Sequence, residues 1–468
     1  MGQSRSLPWT PLAPHAPLAS LALLGLGFEF AWRYWFMGTL EAMSPLFMEW
    51  CPRPLTGVKG LCMLLLGVAL LRAAHQSHSR MRRIDIAALL AMAVSSCLVA
   101  SFSALPFGVL GVVFLLAGAG SAWLYLRWGL LYCALSTQTV FTSMFSACLL
   151  GTLLKCVLYS IPELAGSLIG VACIPCTFAA LFAAQTQHGP NPSPVTYRPV
   201  GTSCILKISL AVLAFSVLEA VIPTILDVGV SSSSLEYFFI EQSTVCILSG
   251  GIIAWVRHKQ SAFSFGDLWP WALIGSGVLL LFATFSEHAT VSNAVMHGAF
   301  TVLWAYLWLV VIETSRFWKN NQGAFIGIVS GLSWIPYTIS SMVIRALDYT
   351  ELGPSLTFPI FFCLVVIVLA CTDLRNDDLR NVFTPIGSAT WYPDDYRTID
   401  ERCQSIGEAH GLTKREIEVM AYVGKGRSRS YIAEKLFISE STVKVHIKHI
   451  YGKCNVKSKQ ELFELLGV

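Results

Sequence analysis

Twelve stretches of roughly 20 predominantly apolar residues run through the first 372 positions, and they constrain the fold more than any other feature. A bilayer core about 30 Å thick takes roughly 20 residues of α-helix. Lipid offers a bare peptide group no partner, so each stretch is read as a helix that satisfies its own backbone. The predicted limits are 18–38, 55–72, 84–104, 106–126, 131–154, 160–184, 205–227, 236–256, 267–286, 291–313, 323–347 and 354–372. The second, fifth and sixth have the loosest edges, because Gly, Pro, Lys59 and Lys155 interrupt the pattern. The expected class is all-α, a polytopic helix bundle followed by a small soluble helical domain.

Lys and Arg placement orients the spans, since short cytoplasmic loops keep positive charge. With the N-terminus inside, the inner loops hold Arg72, Arg80, Arg82, Arg83, Arg127, Arg198, Arg257, Lys259, Arg316 and Lys319. The outer loops hold mainly Asp227, Glu236, Glu287, Asp348 and Glu351, with Arg53 and Arg345 as exceptions. An even span count then puts both termini on the cytoplasmic side of the inner membrane. The first long apolar run, from about Leu18, contains Glu29 and Arg33 and lacks a small-residue cleavage pattern, so no secretory signal peptide is expected.

Charge divides the chain. Residues 1–400 carry 20 basic and 20 acidic side chains, whereas residues 401–468 carry 12 and 8 and so hold the whole net charge of +4. Low charge suits lipid; a dense positive excess suits water and a polyanion. Between them, 373–402 is a polar linker with Asp377, Asp378, Asp394, Asp395, Pro385 and Pro393. As a coil, Asp373 to Asp400 would have an r.m.s. reach of roughly 30 Å. The 14 cysteines lie mostly inside apolar runs without framework spacing and are read as reduced small hydrophobes, including the pair Cys173 and Cys176.

The soluble domain, 403–468, carries the clearest chemistry. Thr413-Lys-Arg-Glu416 is a capping box, and the helix it opens buries Ile417, Met420 and Ala421 before Gly424. A second helix over about Ser428 to Leu436 turns Ile432, Ala433 and Leu436 inward. After Phe437-Ile438, Ser439 caps a third helix through about Cys454. Val443, Ile447, Ile450 and Cys454 share its core face, while Lys444, Val445 and Lys448 share another. In a helix-turn-helix that second face enters the major groove, where cations reach guanine O6 and N7 and an apolar side chain meets a thymine methyl.

The motifs Leu-Thr-x-Arg-Glu (Leu412 to Glu416), Ile432-Ala433, Ile438-Ser439, Thr-Val-Lys-x-His (Thr442 to His446) and Val-x-Ser-Lys-x-Glu-Leu (Val456 to Leu462) resemble the DNA-binding domain of LuxR-type transcription regulators. The resemblance implies a four-helix domain that binds double-stranded DNA, with base contacts from Lys444, Val445 and Lys448 and with Thr442 and His446 near phosphates. It also implies a homodimer through a last helix at about Ser458 to Leu466. Ser428-Arg429-Ser430 departs from the usual Ser-Asn-Lys, in a backbone-contact region. Glu416 is read as a capping residue without a DNA contact.

The loop Gln185 to Cys204, with His-Gly-Pro-Asn-Pro-Ser-Pro, divides the spans into two sets of six. That layout resembles the major facilitator superfamily of transporters. The superfamily's Gly-x-x-x-Asp-Arg-x-Gly-Arg-Arg loop is absent: Arg72 to Arg83 read Arg-Ala-Ala-His-Gln-Ser-His-Ser-Arg-Met-Arg-Arg. Charges at membrane depth cost roughly 2.5–3.5 kcal/mol on insertion scales, so Glu29, Arg33, Glu219 and Glu241 are candidate ligand or ion sites. Glu29 and Arg33, four apart, also suit a structural ion pair, and Lys155 and Arg345 suit snorkelling. Trp32, Trp35, Trp304, Trp308 and Trp334 are given no role.

No nucleophile, base and orienter set and no metal-ligand cluster occurs, so neither catalysis nor a cofactor is expected. The reading is a bilayer-embedded transcription regulator whose membrane domain senses an unknown small molecule. The alternative is a secondary transporter with a regulatory DNA-binding tail.

Overall fold

The computed structural model describes residues 21–45, 47, 51, 53–72, 78–188, 202–226, 234–259, 289–318, 321–346, 399–424, 428–456 and 458–466. The chain forms two compact units, Met1–Ser388 and Ala389–Val468. In the first, a short 3-10 turn at Leu21–Leu24 precedes ten described helices. They are α1 (Leu26–Met43), α2 (Pro54–Arg72), α3 (His78–Ser101), α4 (Phe107–Cys133), α5 (Thr137–Ser160), α6 (Glu163–His188), α7 (Thr202–Leu226), α8 (Leu235–Lys259), α9 (Ala289–Ser315) and α10 (Gln322–Ala346). Each answers to one expected span. Those at 267–286 and 354–372 lie outside the described residues.

Among the described residues, eight helices are long and apolar enough to cross a bilayer. The chain is a multi-pass membrane protein. The first span shifts most, from 18–38 to 26–43, because hydropathy marks an apolar stretch and not where helical geometry begins. Leu65, Leu90, Leu115, Leu168 and Ile247 stay exposed on the outside of the bundle, as lipid-facing side chains should.

Helices α1, α5 and α6 pack together, as do α2, α3 and α4, while α2 against α10 and α5 against α8 join the first six helices to the later ones. The α2–α10 seam is made by glycines. A Cβ on Gly67 would lie 2.6 Å from the Ile328 amide nitrogen, one on Gly327 2.7 Å from the Gly67 Cα, and one on Gly331 2.6 Å from the Leu64 nitrogen. With no hydrophobic effect to drive helices together in lipid, such close backbone approach supplies the dispersion contact.

Two buried polar clusters brace one end of the bundle. Arg127 on α4 holds Asp85 on α3 through Nε at 2.8 Å and a second nitrogen at 3.1 Å, and the Trp123 indole donates to the same carboxylate at 2.7 Å. Just past the end of α9, Arg316 pairs with Glu313 at 2.8 Å and donates to the Tyr132 carbonyl at 3.1 Å. Such pairs roughly offset their own desolvation, but a lone survivor would cost about 3–5 kcal/mol.

The second unit contains α11 (Ile399–Ala409), α12 (Lys414–Gly424), α13 (Arg429–Leu436), α14 (Glu440–Lys453) and α15 (Lys459–Leu466). Helix α11 begins inside the segment read as linker. Farther along the same helix, Cys403 is buried and Ile406 packs on the domain's core. Gly411, at φ +63°, supplies the left-handed residue that closes α11, and the Leu412 amide reaches back to the Gly407 carbonyl.

Candidate functional site

The face of α14 expected to read DNA is built from caps outward. Ser439 Oγ accepts from the Thr442 amide at 3.1 Å and so starts α14 immediately after the turn. Ser428 does the same for α13 through the Tyr431 amide, and α13 ends at Phe437 in the left-handed region. Val443 and Ile450 of α14 are fully buried, Ile447 packs against them and Cys454 is buried. This anchors one side of α14 and leaves Lys444, Val445 and Lys448 exposed together on another. Thr442 is exposed at the helix start, and His446 is half-buried.

The Leu-Thr-x-Arg-Glu motif does structural work. Arg415 pairs with Glu418 and donates to the Leu436 carbonyl, tying α12 to the end of the scaffold helix. Glu416 is buried and accepts from the Thr413 amide at 2.7 Å, the Thr413 hydroxyl at 2.9 Å and Lys453 Nζ at 2.7 Å. Lys453 stands at the C-terminal end of α14, so one carboxylate caps α12 and fixes the tilt of the reading helix.

Burial pulls the Glu416 carboxyl upward. The Lys453 hydrogen bond, the Thr413 amide and hydroxyl and the Lys453 charge outweigh it and hold the group down to about 2 from an ordinary 4.5. A depressed carboxyl contributes stability above its unfolded value and loses it as pH falls toward the folded one. Urea unfolding of residues 389–468 is therefore expected to show stability falling between pH 4.5 and 2. Glu416→Gln should flatten that fall and cost about 1.5–3 kcal/mol at neutral pH, the worth of a hydrogen bond to a charged group. Parallel acid profiles for both proteins would remove Glu416 from this role.

The membrane unit holds a cavity of about 310 Å³. It is lined by the N-terminal parts of α2 (Leu55, Thr56, Lys59), α8 (Glu241) and α9 (His297, Thr301, Trp304), by Lys155 near the end of α5, and by Arg33 of α1. Ser333, Trp334 and Tyr337 of α10 and Arg53 also face it. Three of these cations rest on aromatic rings. Lys59 Nζ lies 4.1 Å from the Tyr125 ring centroid, 4.3 Å from that of Trp334 and 5.6 Å from that of Trp304. The Arg33 guanidinium lies 5.3 Å from the Trp304 ring, and that of Arg53 lies 4.4 Å from Tyr337.

Of the acids singled out in sequence, Glu241 lines the cavity. Glu29 is fully buried behind it, accepting from Ser121 at 3.1 Å and from the Tyr125 hydroxyl at 2.8 Å. Glu219 falls in α7, and its side chain, like that of Arg345, lies outside what is described. Lys155, expected to snorkel, faces the cavity instead, and Trp304 and Trp334, given no role, line it. Sequence reasoning alone does not single out Lys59 and Arg53 as site residues. One looks like a flaw in a span and the other like a topology exception, and those irregularities are their signal.

Residues 410–466 match the family model GerE, bacterial regulatory proteins of the luxR family. The match lies within the C-terminal unit, begins just past α11 and spans helices α12 to α15, the segment with helix-turn-helix geometry. Oxygen regulatory protein NreC of Staphylococcus carnosus is 51% identical over 53 residues, covering 11% of this chain and 24% of that protein. NreC of Staphylococcus epidermidis is 51% identical over 65 residues, covering 14% and 30%. The chain therefore spans less than a third of the curated relatives it matches. The helical bundle is similar in fold to the human organic anion transporter MFSD10 (TETRAN), at 12% identity and a TM-score of 0.53, covering 77% of this chain and 100% of that one. A helical bundle similar in fold to that transporter and a segment matching the luxR family thus occur in one chain.

Proposed function

We propose that this protein is a transcription regulator embedded in the cytoplasmic membrane, which receives a small molecule in the bundle cavity and passes the signal to the LuxR-type domain. The observation that carries the reading is the joining of a polar cavity inside the bundle to a complete DNA-reading domain within one polypeptide. The positive loops support an orientation with both termini in the cytoplasm, where promoters are. In that orientation the cavity lies toward the outer half of the bundle and the α2–α10 glycine seam closes its inner side. Two copies pair through α15, whose Leu465 stays partly exposed, and set two reading helices on a two-fold operator. The ligand acts by binding one arrangement of the bundle more tightly than another.

The test is a genome-wide DNA-binding map of the full chain with Lys444→Ala as control, followed by a reporter from a bound promoter. Discrete sites that vanish in the control, and a reporter that stops responding when Lys59 or Trp304 is replaced, are expected. A transporter fold favours a second reading, in which the bundle moves its ligand across the membrane. Uptake by reconstituted vesicles that depends on Glu241, with promoter occupancy indifferent to cavity variants, would establish transport in place of sensing.

A further inference from the structure

Resting on the reading of the cavity as the input site, we propose that its ligand is a small organic anion, a single carboxylate-type group on an aromatic body. Lys59 and Arg33 hold the anion, and the ring packs against the stacked Trp304–Trp334 pair. Among the described residues, the wall carries four cations, Arg33, Arg53, Lys59 and Lys155, against one carboxylate, Glu241. Even with Glu29 counted behind it, the surplus is positive. Like charges gathered in a low-dielectric wall repel, and an anion among them offsets that repulsion.

Lys59 is the sharpest case. It is 1% exposed, and its ammonium rests among the rings of Tyr125, Trp304 and Trp334. The bundle's other buried cations are treated differently: Arg127 has Asp85 and Arg316 has Glu313. The Glu29 carboxylate is directed to Ser121 and Tyr125. Arg33 and Lys59 both stand within 5.6 Å of the Trp304 centroid, so a single anionic group beside that indole meets two cations. Trp304 and Trp334 stack 6.2 Å apart and offer the apolar faces an aromatic body needs. A volume of about 310 Å³ sits at the small end of ligand sites, suiting one ring with a short side chain.

The test uses the full chain in phosphatidylcholine nanodiscs, titrated with phenylacetate, phenylacetamide and phenethylamine and read by calorimetry and thermal unfolding. Phenylacetate should bind at least about 10-fold tighter than the amide or the amine, the worth of a charge-assisted hydrogen bond. Lys59→Met should remove that preference and Lys59→Arg should keep it, with ligand-free unfolding reporting whether each variant folds. If Lys59→Met does not fold, the order of the three probes on wild type decides.

Equal affinity for the amide, preference for the amine, no binding by any probe, or a folded Lys59→Met with undiminished affinity would overturn the proposal. Repeating the titration in phosphatidylglycerol discs distinguishes sources. Competition would assign the site to an anionic lipid headgroup and overturn the aromatic ligand, whereas indifference is the result expected for a soluble aromatic anion. Phenylacetate binding without a reporter response would overturn the sensor reading and leave this one. A reporter driven through the cavity by a neutral or cationic ligand would do the reverse.

Discussion

Replacing Lys444 and Lys448 together with alanine is expected to weaken promoter binding by roughly 10²- to 10⁴-fold, because each cation on a groove-facing helix contributes about 1–3 kcal/mol. Both side chains are exposed on α14, opposite a face whose Val443 and Ile450 are fully buried, so removing them should leave unfolding of the domain unchanged. The slope of log affinity against log salt should flatten by about 0.9 for each phosphate that is no longer neutralised. Val445, half-exposed between them, separates two kinds of interaction. Val445→Ala should relax base preference at one position with little change in salt slope, whereas the lysine variants change the slope. Salt titrations of wild type and variants on one promoter fragment measure both. A double variant that binds as wild type does would place the reading surface elsewhere on the domain.

The two units differ in how far their chemistry is legible before folding. In the DNA-binding domain the determinants are local. Thr413 and Glu416 are three residues apart, Ser439 caps the helix that follows it, and the core and reading faces of α14 follow from one helical period. The expected and observed helices there agree to within a residue or two, and the exception is α11, whose polar composition conceals a buried Cys403. The capping role of Glu416 is plain from its spacing, but its bond to Lys453, 37 residues away, needs the fold.

In the bundle, hydropathy marks the spans but not their faces. A helix apolar on all sides has no stripe from which a partner can be inferred. The cavity is assembled from single irregularities on α1, α2, α5, α8, α9 and α10, each of which taken alone has a trivial explanation: a frayed end, a snorkelling lysine, an interfacial tryptophan. Convergence is the information, and it belongs to tertiary structure. The glycines behave likewise, since Gly60 and Gly67 or Gly327 and Gly331 are visible in sequence at helical spacing, while their facing one another is not.

Replacing Gly327 with leucine is expected to separate α2 from α10 and, under the proposed sensing role, to abolish the response to ligand while the C-terminal domain stays folded. A Cβ at this position would lie 2.7 Å from the Gly67 Cα and 2.8 Å from both the Gly67 nitrogen and the Met63 carbonyl oxygen. All three are backbone atoms, so no rotamer change relieves the clash and a whole helix must move. Overpacking of this kind costs typically about 1–3 kcal/mol. The larger consequence is geometric. Helix α2 carries Lys59 and α10 carries Trp334, whose ring centroid lies 4.3 Å from the lysine nitrogen, so spreading the seam breaks the cavity's central contact. Gly111→Leu is the matched control, because its added side chain would meet nothing within 4 Å on α4. In nanodiscs, Gly327→Leu should melt well below wild type and Gly111→Leu close to it or above. In cells, promoter output in the Gly327 variant should stay at one level whatever the ligand. Equal melting of the two variants, with an intact response, would mean that α2 and α10 do not approach through their glycines.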